Sequence, residues 1–280
     1  MSLCSPFVLL TNAHTNGKVV GAFNVGNMEM IKGVVQAAEE LETPIIMQIG
    51  EKRFSHSPLD LLAPMMVSAA KCANIDIAVQ LDHAESISAI QKALEYGFTG
   101  IMYDGSSFSL AKNIQETRKI VEMAHSQHAF VEGELGILSG SEGGPEKEAL
   151  YTNPDHALQF IKDSACDALA ISIGNAHGHY KGKPKLNFEA LRAIRQLVDI
   201  PLVLHGGSGI PEEDFAKAVR LGICKINIAT ANFDALAKGA RHAIQTNIED
   251  NYFTLSAAMV DAVYKNTKNH IHMFNRMNRI

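Results

Sequence analysis

Eight short apolar runs recur along the 280-residue chain, and segments with the apolar period of a helix lie between them. Runs of this kind, bounded by glycine, proline and polar residues, are typical of buried strands in a parallel sheet. Eight strands alternating with helices predict an α/β fold, a (β/α)8 TIM barrel forming a single domain over residues 1–280. A doubly wound open sheet is the alternative, although no GxGxxG motif follows the first run. The runs are VVGAFNV (19–25), PIIMQIG (44–50), IDIAVQLDH (75–83), GIMYDGS (100–106), AFVEGELG (129–136), DALAISIG (167–174), PLVLHGG (201–207) and ICKINIAT (223–230).

Capping residues and prolines delimit the helices expected between these strands. Asn153 and Asn187 stand directly before amphipathic segments, as helix caps do. Ser57 and Pro58 are expected to open a helix in which Pro64 marks a kink or a later start. The expected helices span about residues 27–41, 59–73, 86–96, 110–125, 153–162, 188–198, 211–222, 232–245 and 252–274.

Composition excludes several classes of protein. The net charge of -5 gives no reason to expect binding to nucleic acid or to a membrane surface. The four cysteines are far apart and form no CxxC, which argues for reduced thiols and against a structural zinc held by cysteine. No segment has the pattern of a signal peptide or of a membrane span. We therefore expect a cytoplasmic globular protein.

Polar side chains collect where the predicted strands end. A barrel brings the carboxyl ends of all its strands to one rim, where barrel enzymes carry their chemistry. Asp82 and His83 end a run that is otherwise apolar, although this pair alone could equally cap the next helix. Five further strand ends repeat the pattern: Asp104–Gly105, Glu132 with Glu134, His177 with His179, His205–Gly209 and Asn227–Thr230.

Three of these strand ends carry a histidine that could bind a metal ion. His83, His177 and His205 follow the third, sixth and seventh strands, so their imidazoles can meet at the barrel mouth. A catalytic zinc takes three protein ligands and keeps one position open for substrate. Each histidine could instead be a capping or core residue, but three on one rim favour a metal site.

The glycine-rich sequence HGGSG after the seventh strand is a candidate phosphate site. Backbone N–H groups in such a turn, together with the N-terminus of a following helix, bind phosphate oxygens. Barrel enzymes commonly bind phosphate after strands seven and eight. The alternative is a tight turn that needs glycine only for its dihedral angles.

The chain resembles the class II, zinc-dependent ketose-bisphosphate aldolases, a family of fructose- and tagatose-bisphosphate aldolases. The matching stretches follow the family order through most of the chain, and the family fold is a (β/α)8 barrel. They are AFNVGNMEM, LDHAES, GIMYDGS, VEGELG, ALYTNPDHA, ISIGNAHGHYKGKPKLNF, LVLHGGSGIP and LGICKINIAT.

The resemblance implies a role for each matching residue. The catalytic acid/base is Asp82, and the ligands of one zinc ion are His83, His177 and His205. The substrate contacts are Gly178, Gly206, Gly207, Ser208, Asn227, Ile228, Ala229 and Thr230. A second divalent ion or a monovalent cation is implied at Asp104 and Glu134.

Glu142 is implied as a mobile residue that transfers the proton at C3 of the substrate. It lies in the segment Gly136–Leu150, GILSGSEGGPEKEAL, which is too long and too rich in glycine and serine for an ordinary connection. We therefore expect a loop that closes over the site during the reaction.

The resemblance further implies cleavage of a ketose bisphosphate to dihydroxyacetone phosphate and an aldehyde, in a homodimer or homotetramer. Fructose and tagatose 1,6-bisphosphate are the first candidates for the substrate. Ala229 matches the tagatose branch, whereas HGGSG is common in the fructose branch, and no counterpart of the arginine for the distal phosphate stands out near the C-terminus. Another ketose phosphate, giving an aldehyde that need not carry phosphate, is the alternative. A zinc hydrolase and a non-catalytic sugar-phosphate-binding subunit are the alternatives from other classes.

Overall fold

Eight parallel strands close into a barrel in the computed structural model, which describes residues 2–140, 150–246 and 251–277. Each strand pairs with the next, and the last pairs with the first through the register Lys225↔Val20. The barrel predicted from the eight apolar runs is therefore confirmed. Its strands, numbered in chain order, are β1 Val20–Asn24, β2 Ile45–Gly50, β3 Ile77–Ala84, β4 Gly100–Tyr103, β5 Phe130–Leu135, β6 Ala168–Ile171, β7 Leu202–Leu204 and β8 Ile223–Ile228.

Helices surround the barrel and alternate with its strands, with one further helix before the first strand and two helices after the last. Asn153 and Asn187 cap their helices as predicted, each accepting a backbone N–H on its side-chain oxygen. The helices are α1 Pro6–Asn16, α2 Met28–Glu40, α3 Leu59–Cys72, α4 Ile87–Glu95, α5 Leu110–His125, α6 Pro154–Ser164, α7 Phe188–Leu197, α8 Glu212–Arg220, α9 Thr230–Gln245 and α10 Tyr252–Asn275. None of the described helices is long and apolar enough to cross a membrane.

One predicted cap was wrong. Helix α3 begins at Leu59 with no side-chain cap, and the hydroxyl of Ser57 donates to the carbonyl of Gly26 at 2.6 Å instead. Pro64 lies inside α3 and does not delay its start. Ser57 thereby ties the loop after β2 to the loop after β1.

Helix α1 was missed by the sequence analysis, although its signals are ordinary. Ser5 caps it through a bond to the backbone N–H of Phe7, and Pro6 occupies its first turn. Leu10 and Ala13 are buried against the apolar side chains that point into the barrel from near the amino ends of the strands. Helix α1 thus closes the amino-terminal end of the barrel, and the polar groups lie toward the carboxyl ends.

The barrel interior changes from apolar to polar along its axis. The layer above α1 is made of small and apolar side chains such as Ala22, Ile46 and Ala78. The next layer is polar and has no exposed surface; it comprises Asn24, Gln48, Gln80, Glu132 and Lys225. A larger apolar core lies between the outer faces of the strands and the helices.

Candidate active site

The three predicted histidines meet at the carboxyl-terminal mouth of the barrel. His83 lies in β3, His177 lies in the short strand Ala176–His177 after β6, and His205 directly follows β7. One ring nitrogen from each lies within 4.8 Å of those from the other two. The ring centroids of His83 are 4.7 Å from His177 and 4.6 Å from His205.

A β-bulge explains how two consecutive residues both serve this site. Neighbouring residues of a regular strand point to opposite faces, so Asp82 and His83 should not face the same cavity. The β3–β4 register shifts between Leu81 and Ala84, and His83 has a left-handed φ of 44°. A bulge changes the direction in which side chains point, and here it turns both side chains toward the barrel mouth at the cost of local backbone strain.

A carboxylate orients each of two imidazoles. Nδ1 of His83 lies 3.1 Å from Asp104, and Nε2 of His205 lies 2.7 Å from Glu132. The remaining nitrogens of these two rings face each other at 2.8 Å. Metal-binding histidines commonly use the other ring nitrogen on a carboxylate in the same way, which fixes the tautomer and the orientation of the ring.

The donor set suits a metal ion that prefers nitrogen ligands. Burial lowers the pKa of His177 well below its usual value, and the nearby His83 and His205 lower it further. A neutral imidazole is the form that binds metal. The three histidines therefore fit zinc, whereas a second group within 4.8 Å, made of His83, Asp104 and Glu134, offers mainly oxygen ligands.

Glu132 and Lys225 form an ion pair inside the barrel beneath the histidines. Nζ of Lys225 donates to Glu132 at 2.7 Å, and neither side chain has exposed surface. Gln80 donates to the same carboxylate oxygen at 3.0 Å. Burial alone would raise the pKa of Glu132, but Lys225 and the bond from His205 hold it well below its usual value. Glu132 is thus a fixed negative charge behind His205.

Asp82 is buried beside the histidines and is held by two amides. Asn24 donates to one carboxylate oxygen at 2.8 Å, and Asn227 donates to the other at 3.3 Å. Gln48 in turn donates to Asn24 at 2.9 Å. The carboxylate is only 1 % exposed, so these bonds fix its position at the site.

The HGGSG turn approaches other backbone segments too closely to accept side chains. A Cβ on Gly206 would lie 2.1 Å from the carbonyl oxygen of Ala176. A Cβ on Gly207 would lie 2.8 Å from the carbonyl oxygen of Asn227. The hydroxyl of Ser208 accepts the N–H of Ala231, in the first turn of α9. The turn is therefore tight, which is the alternative reason given above for its glycines. It also stands at a helix N-terminus, where anions bind.

The other predicted substrate contacts lie around this turn. Ala229 precedes α9, Thr230 begins it, and Gly178 follows His177 with a left-handed φ of 79°. The side chain of Ile228 is buried in the outer core, so only its backbone remains for contact with a substrate.

Glu142 lies outside the described residues, but the start and the end of its loop are described. Ile137 and Leu150 exchange two backbone hydrogen bonds of 2.8 Å, and Gly140 pairs with His177. The chain therefore enters the 141–149 segment directly beside a histidine of the site.

Sequence reasoning missed the supporting polar layer, namely Asn24, Gln48, Gln80, Lys225 and the role of Glu132. Lys225 carried a usable signal, because a single lysine inside the apolar strand β8 requires a buried partner. His179, by contrast, is 76 % exposed and faces Asp234 at 3.6 Å, consistent with its omission from the metal ligands.

The chain is similar to known proteins along almost its whole length. The family described as "Fructose-bisphosphate aldolase class-II" matches residues 7–279. A sulfofructosephosphate aldolase from Alkalicoccus urumqiensis is 35 % identical over 283 residues, covering 100 % of this chain and 99 % of the relative. The crystal structure of the YdjI aldolase from Escherichia coli K12 has a TM-score of 0.86 at 33 % identity, over 98 % of both chains. A putative fructose-1,6-biphosphate aldolase from Coccidioides immitis has a TM-score of 0.89 at 28 % identity, covering 97 % of this chain and 96 % of that one. The chain belongs to the class II fructose-bisphosphate aldolase family and is a lyase.

Proposed function

We propose that this protein is a zinc-dependent aldolase that reversibly cleaves a ketose phosphate to dihydroxyacetone phosphate and an aldehyde. Three imidazoles on separate strand ends, with the buried carboxylate of Asp82 beside them, carry this proposal. A hydrolase would need to activate a metal-bound water, whereas family membership favours carbon–carbon bond cleavage.

His83, His177 and His205 would hold the zinc ion. When bound, zinc supplies a Lewis acid that polarises the ketose carbonyl and stabilises negative charge on the dihydroxyacetone phosphate half. Asp104 and Glu132 keep the two rings they touch in the orientation that the metal needs. Asp104 and Glu134 are proposed to hold a second divalent ion or a monovalent cation.

Asp82 acts as the general base of cleavage. It takes the proton from the C4 hydroxyl as the C3–C4 bond breaks, and the C4 carbon leaves as the aldehyde. In condensation it returns this proton to the aldehyde oxygen. Asn24 and Asn227 hold the two oxygens of the carboxylate, so the proton acceptor keeps a fixed distance from the histidines.

The phosphate of dihydroxyacetone phosphate is proposed to bind at the turn before α8 and the N-terminus of α9. Gly206, Gly207 and Ser208 supply the turn, and Thr230 begins the helix. Backbone N–H groups and the helix dipole favour a dianion there. Gly178 and the Asn227–Thr230 segment complete the contacts with this half of the substrate.

Glu142 moves the proton at C3. The electron pair of the broken C3–C4 bond stays on the dihydroxyacetone phosphate half, and Glu142 delivers a proton to that carbon. Gly140, which lies two residues before Glu142 in the sequence, pairs with His177, and this pairing supports the role.

The substrate is proposed to be a ketose 1-phosphate with a second anionic group at its far end. Fructose and tagatose 1,6-bisphosphate meet this description, and so does the sulfofructose phosphate named for the relative from Alkalicoccus urumqiensis. The decisive experiment incubates the zinc-loaded protein with each ketose and measures dihydroxyacetone phosphate. Release from none of them, together with no exchange of the C3 proton of dihydroxyacetone phosphate with solvent, would refute the proposal.

We also propose a cytoplasmic homodimer or homotetramer. Large apolar side chains stay exposed on α9 and α10, including Ile244 at 63 % and Phe253 at 80 %. Phe253 and the exposed Tyr252 also place two rings side by side, with centroids 5.5 Å apart. Clusters of exposed apolar side chains are typical of protein–protein contacts. Light scattering on the purified protein gives the number of chains, and a monomer at all concentrations would exclude the assembly.

A further inference from the structure

Arg53 stands on the rim of the barrel, in the turn directly after the strand that pairs with the strand carrying Asp82. It ends the short 3-10 turn Glu51–Arg53, which follows β2 without any intervening residue. The last residue of β2, Gly50, is the register partner of Asp82 in β3. The turn therefore lies at the carboxyl-terminal mouth, on the side of the barrel that carries Asp82.

The two charged residues that precede Arg53 already have partners. The carboxylate of Glu51 accepts the backbone N–H groups of Glu85 and Ser86 and the Ser86 hydroxyl. Nζ of Lys52 lies 2.8 Å from the carboxylate of Glu85. The bonds of Glu51 fasten the turn to the N-terminus of α4, and Arg53 is the third residue of this anchored turn.

The guanidinium of Arg53 is positioned by an aromatic ring and has hydrogen-bonding capacity to spare. Its central carbon lies 4.3 Å from the centre of the Phe233 ring. Within residues 2–140, 150–246 and 251–277, the buried Nε of Arg53 has no hydrogen-bond partner. No carboxylate in these ranges forms an ion pair with the Arg53 side chain. A buried donor without a partner destabilises the folded protein, so an arginine kept in this state is suited to a ligand that accepts a hydrogen bond from it.

Phe233 fixes where this guanidinium lies. It stands in the first turn of α9, just after the proposed phosphate site, and its ring covers the loop after β1, where a Cβ on Gly26 would lie 2.8 Å from it. Arg53 reaches from the rim after β2 toward this ring. Its head group therefore lies against Phe233, whose ring also covers Gly26 in the loop after β1.

We propose that Arg53 determines specificity for the aldehyde half of the substrate by binding a tetrahedral oxyanion, phosphate or sulfonate, at its far end. This inference rests on the proposed aldolase function. With the phosphate of dihydroxyacetone phosphate after β7 and β8 and the C4 hydroxyl at Asp82, the carbons beyond C4 extend toward the β1–β2 rim. The planar fork of a guanidinium donates two parallel hydrogen bonds to such a group.

The test compares aldehyde acceptors in condensation with dihydroxyacetone phosphate. The acceptors are glyceraldehyde 3-phosphate, its sulfonate analogue and uncharged glyceraldehyde, and the variants are Arg53→Met, Arg53→Lys and the control Lys52→Met. Arg53→Met should lower kcat/KM for the charged acceptor that the wild type prefers by about 10- to 100-fold, the loss typical of one hydrogen bond to a charged group. It should leave kcat/KM for glyceraldehyde and KM for dihydroxyacetone phosphate unchanged.

The other two variants and the comparison of acceptors identify the cause of any loss in kcat/KM. Arg53→Lys should recover part of the preference, because it keeps the charge without the fork, and Lys52→Met should behave as the wild type. The phosphate-to-sulfonate ratio of kcat/KM in the wild type identifies the natural oxyanion. Equal losses for charged and uncharged acceptors in both Arg53 variants, or no loss in either, would overturn the inference. A wild type that exchanges the C3 proton of dihydroxyacetone phosphate shows that the aldolase function itself stands.

Discussion

Glu132 accepts a hydrogen bond of 2.7 Å from Nε2 of His205 inside the barrel, where both side chains are buried. This bond leaves Nδ1 of His205 turned toward His83, in the position of a metal ligand. The other oxygen of Glu132 is paired with Lys225. One carboxylate therefore serves both the stability of the barrel and the geometry of the proposed zinc site.

Separate variants should divide these two roles of Glu132. Lys225→Met should lower the free energy of unfolding by about 3–5 kcal/mol, because it leaves a buried carboxylate without its counterion. Adding Glu132→Gln to Lys225→Met should restore much of the lost free energy of unfolding. The zinc affinity of the double variant should stay about 10–100-fold below that of the wild type, the range seen when groups that orient a metal ligand are lost. Urea denaturation and competition with a chelator measure the two quantities.

Equal zinc affinity in the double variant and the wild type would show that Glu132 does not orient His205. Asp104→Asn is the matched control, because Asp104 bears the same relation to His83 without touching Lys225. It should weaken zinc binding with a much smaller effect on unfolding.

Removal of the metal should abolish aldol cleavage. Treatment with a chelator should stop release of dihydroxyacetone phosphate, and added zinc should restore it, since three imidazoles provide the donors of a catalytic zinc site. His205→Ala should bind less than one zinc per chain, as measured by metal analysis. His179→Ala is the control from the same region, because His179 is exposed, and it should keep the wild-type zinc content. Full activity in the metal-free protein would exclude the mechanism.

Asp82→Asn should lower turnover steeply without loss of zinc. The substitution keeps the size of the side chain but removes its basicity, and general acid–base groups contribute roughly 10²–10⁴-fold to rate. Steady-state kinetics, metal analysis and thermal unfolding are compared for the same preparation. Loss of zinc or of the folded state would instead assign Asp82 a structural role.

The strand pattern was readable from the sequence because each barrel strand is buried on both faces and is punctuated by glycine, proline or charged residues. The histidines were readable because strand ends share one rim. The Asp82–His83 bulge was not, since a left-handed His83 depends on the register between β3 and β4. The partner of Lys225 was not readable either, because Glu132 is 93 residues away in sequence and only barrel closure brings the two together.

The stability of the protein should depend on the protonation of His270. Burial lowers the pKa of this imidazole below its usual value of about 6.5, although its bond to the carbonyl of Asn266 opposes the shift. The unfolded chain therefore takes up this proton at a higher pH than the folded protein does, and stability falls as the pH drops below about 6.5. Urea denaturation between pH 5 and pH 8 should show a shallower dependence for His270→Gln. The same slope in both proteins would assign the pH dependence to other groups.

Glu142→Ala should separate binding from proton transfer at carbon. The variant should still bind dihydroxyacetone phosphate, because the histidines and the turn at Gly206 and Gly207 are intact. It should not exchange the C3 proton of that ligand with solvent, because the group proposed to move the proton is gone. Nuclear magnetic resonance in deuterated water follows the exchange, and titration calorimetry measures the binding. Glu148→Ala, from the same connection in sequence, is the control and should exchange at the wild-type rate. Wild-type exchange in Glu142→Ala would show that another residue moves the proton, and weak binding in that variant would place Glu142 among the substrate contacts instead.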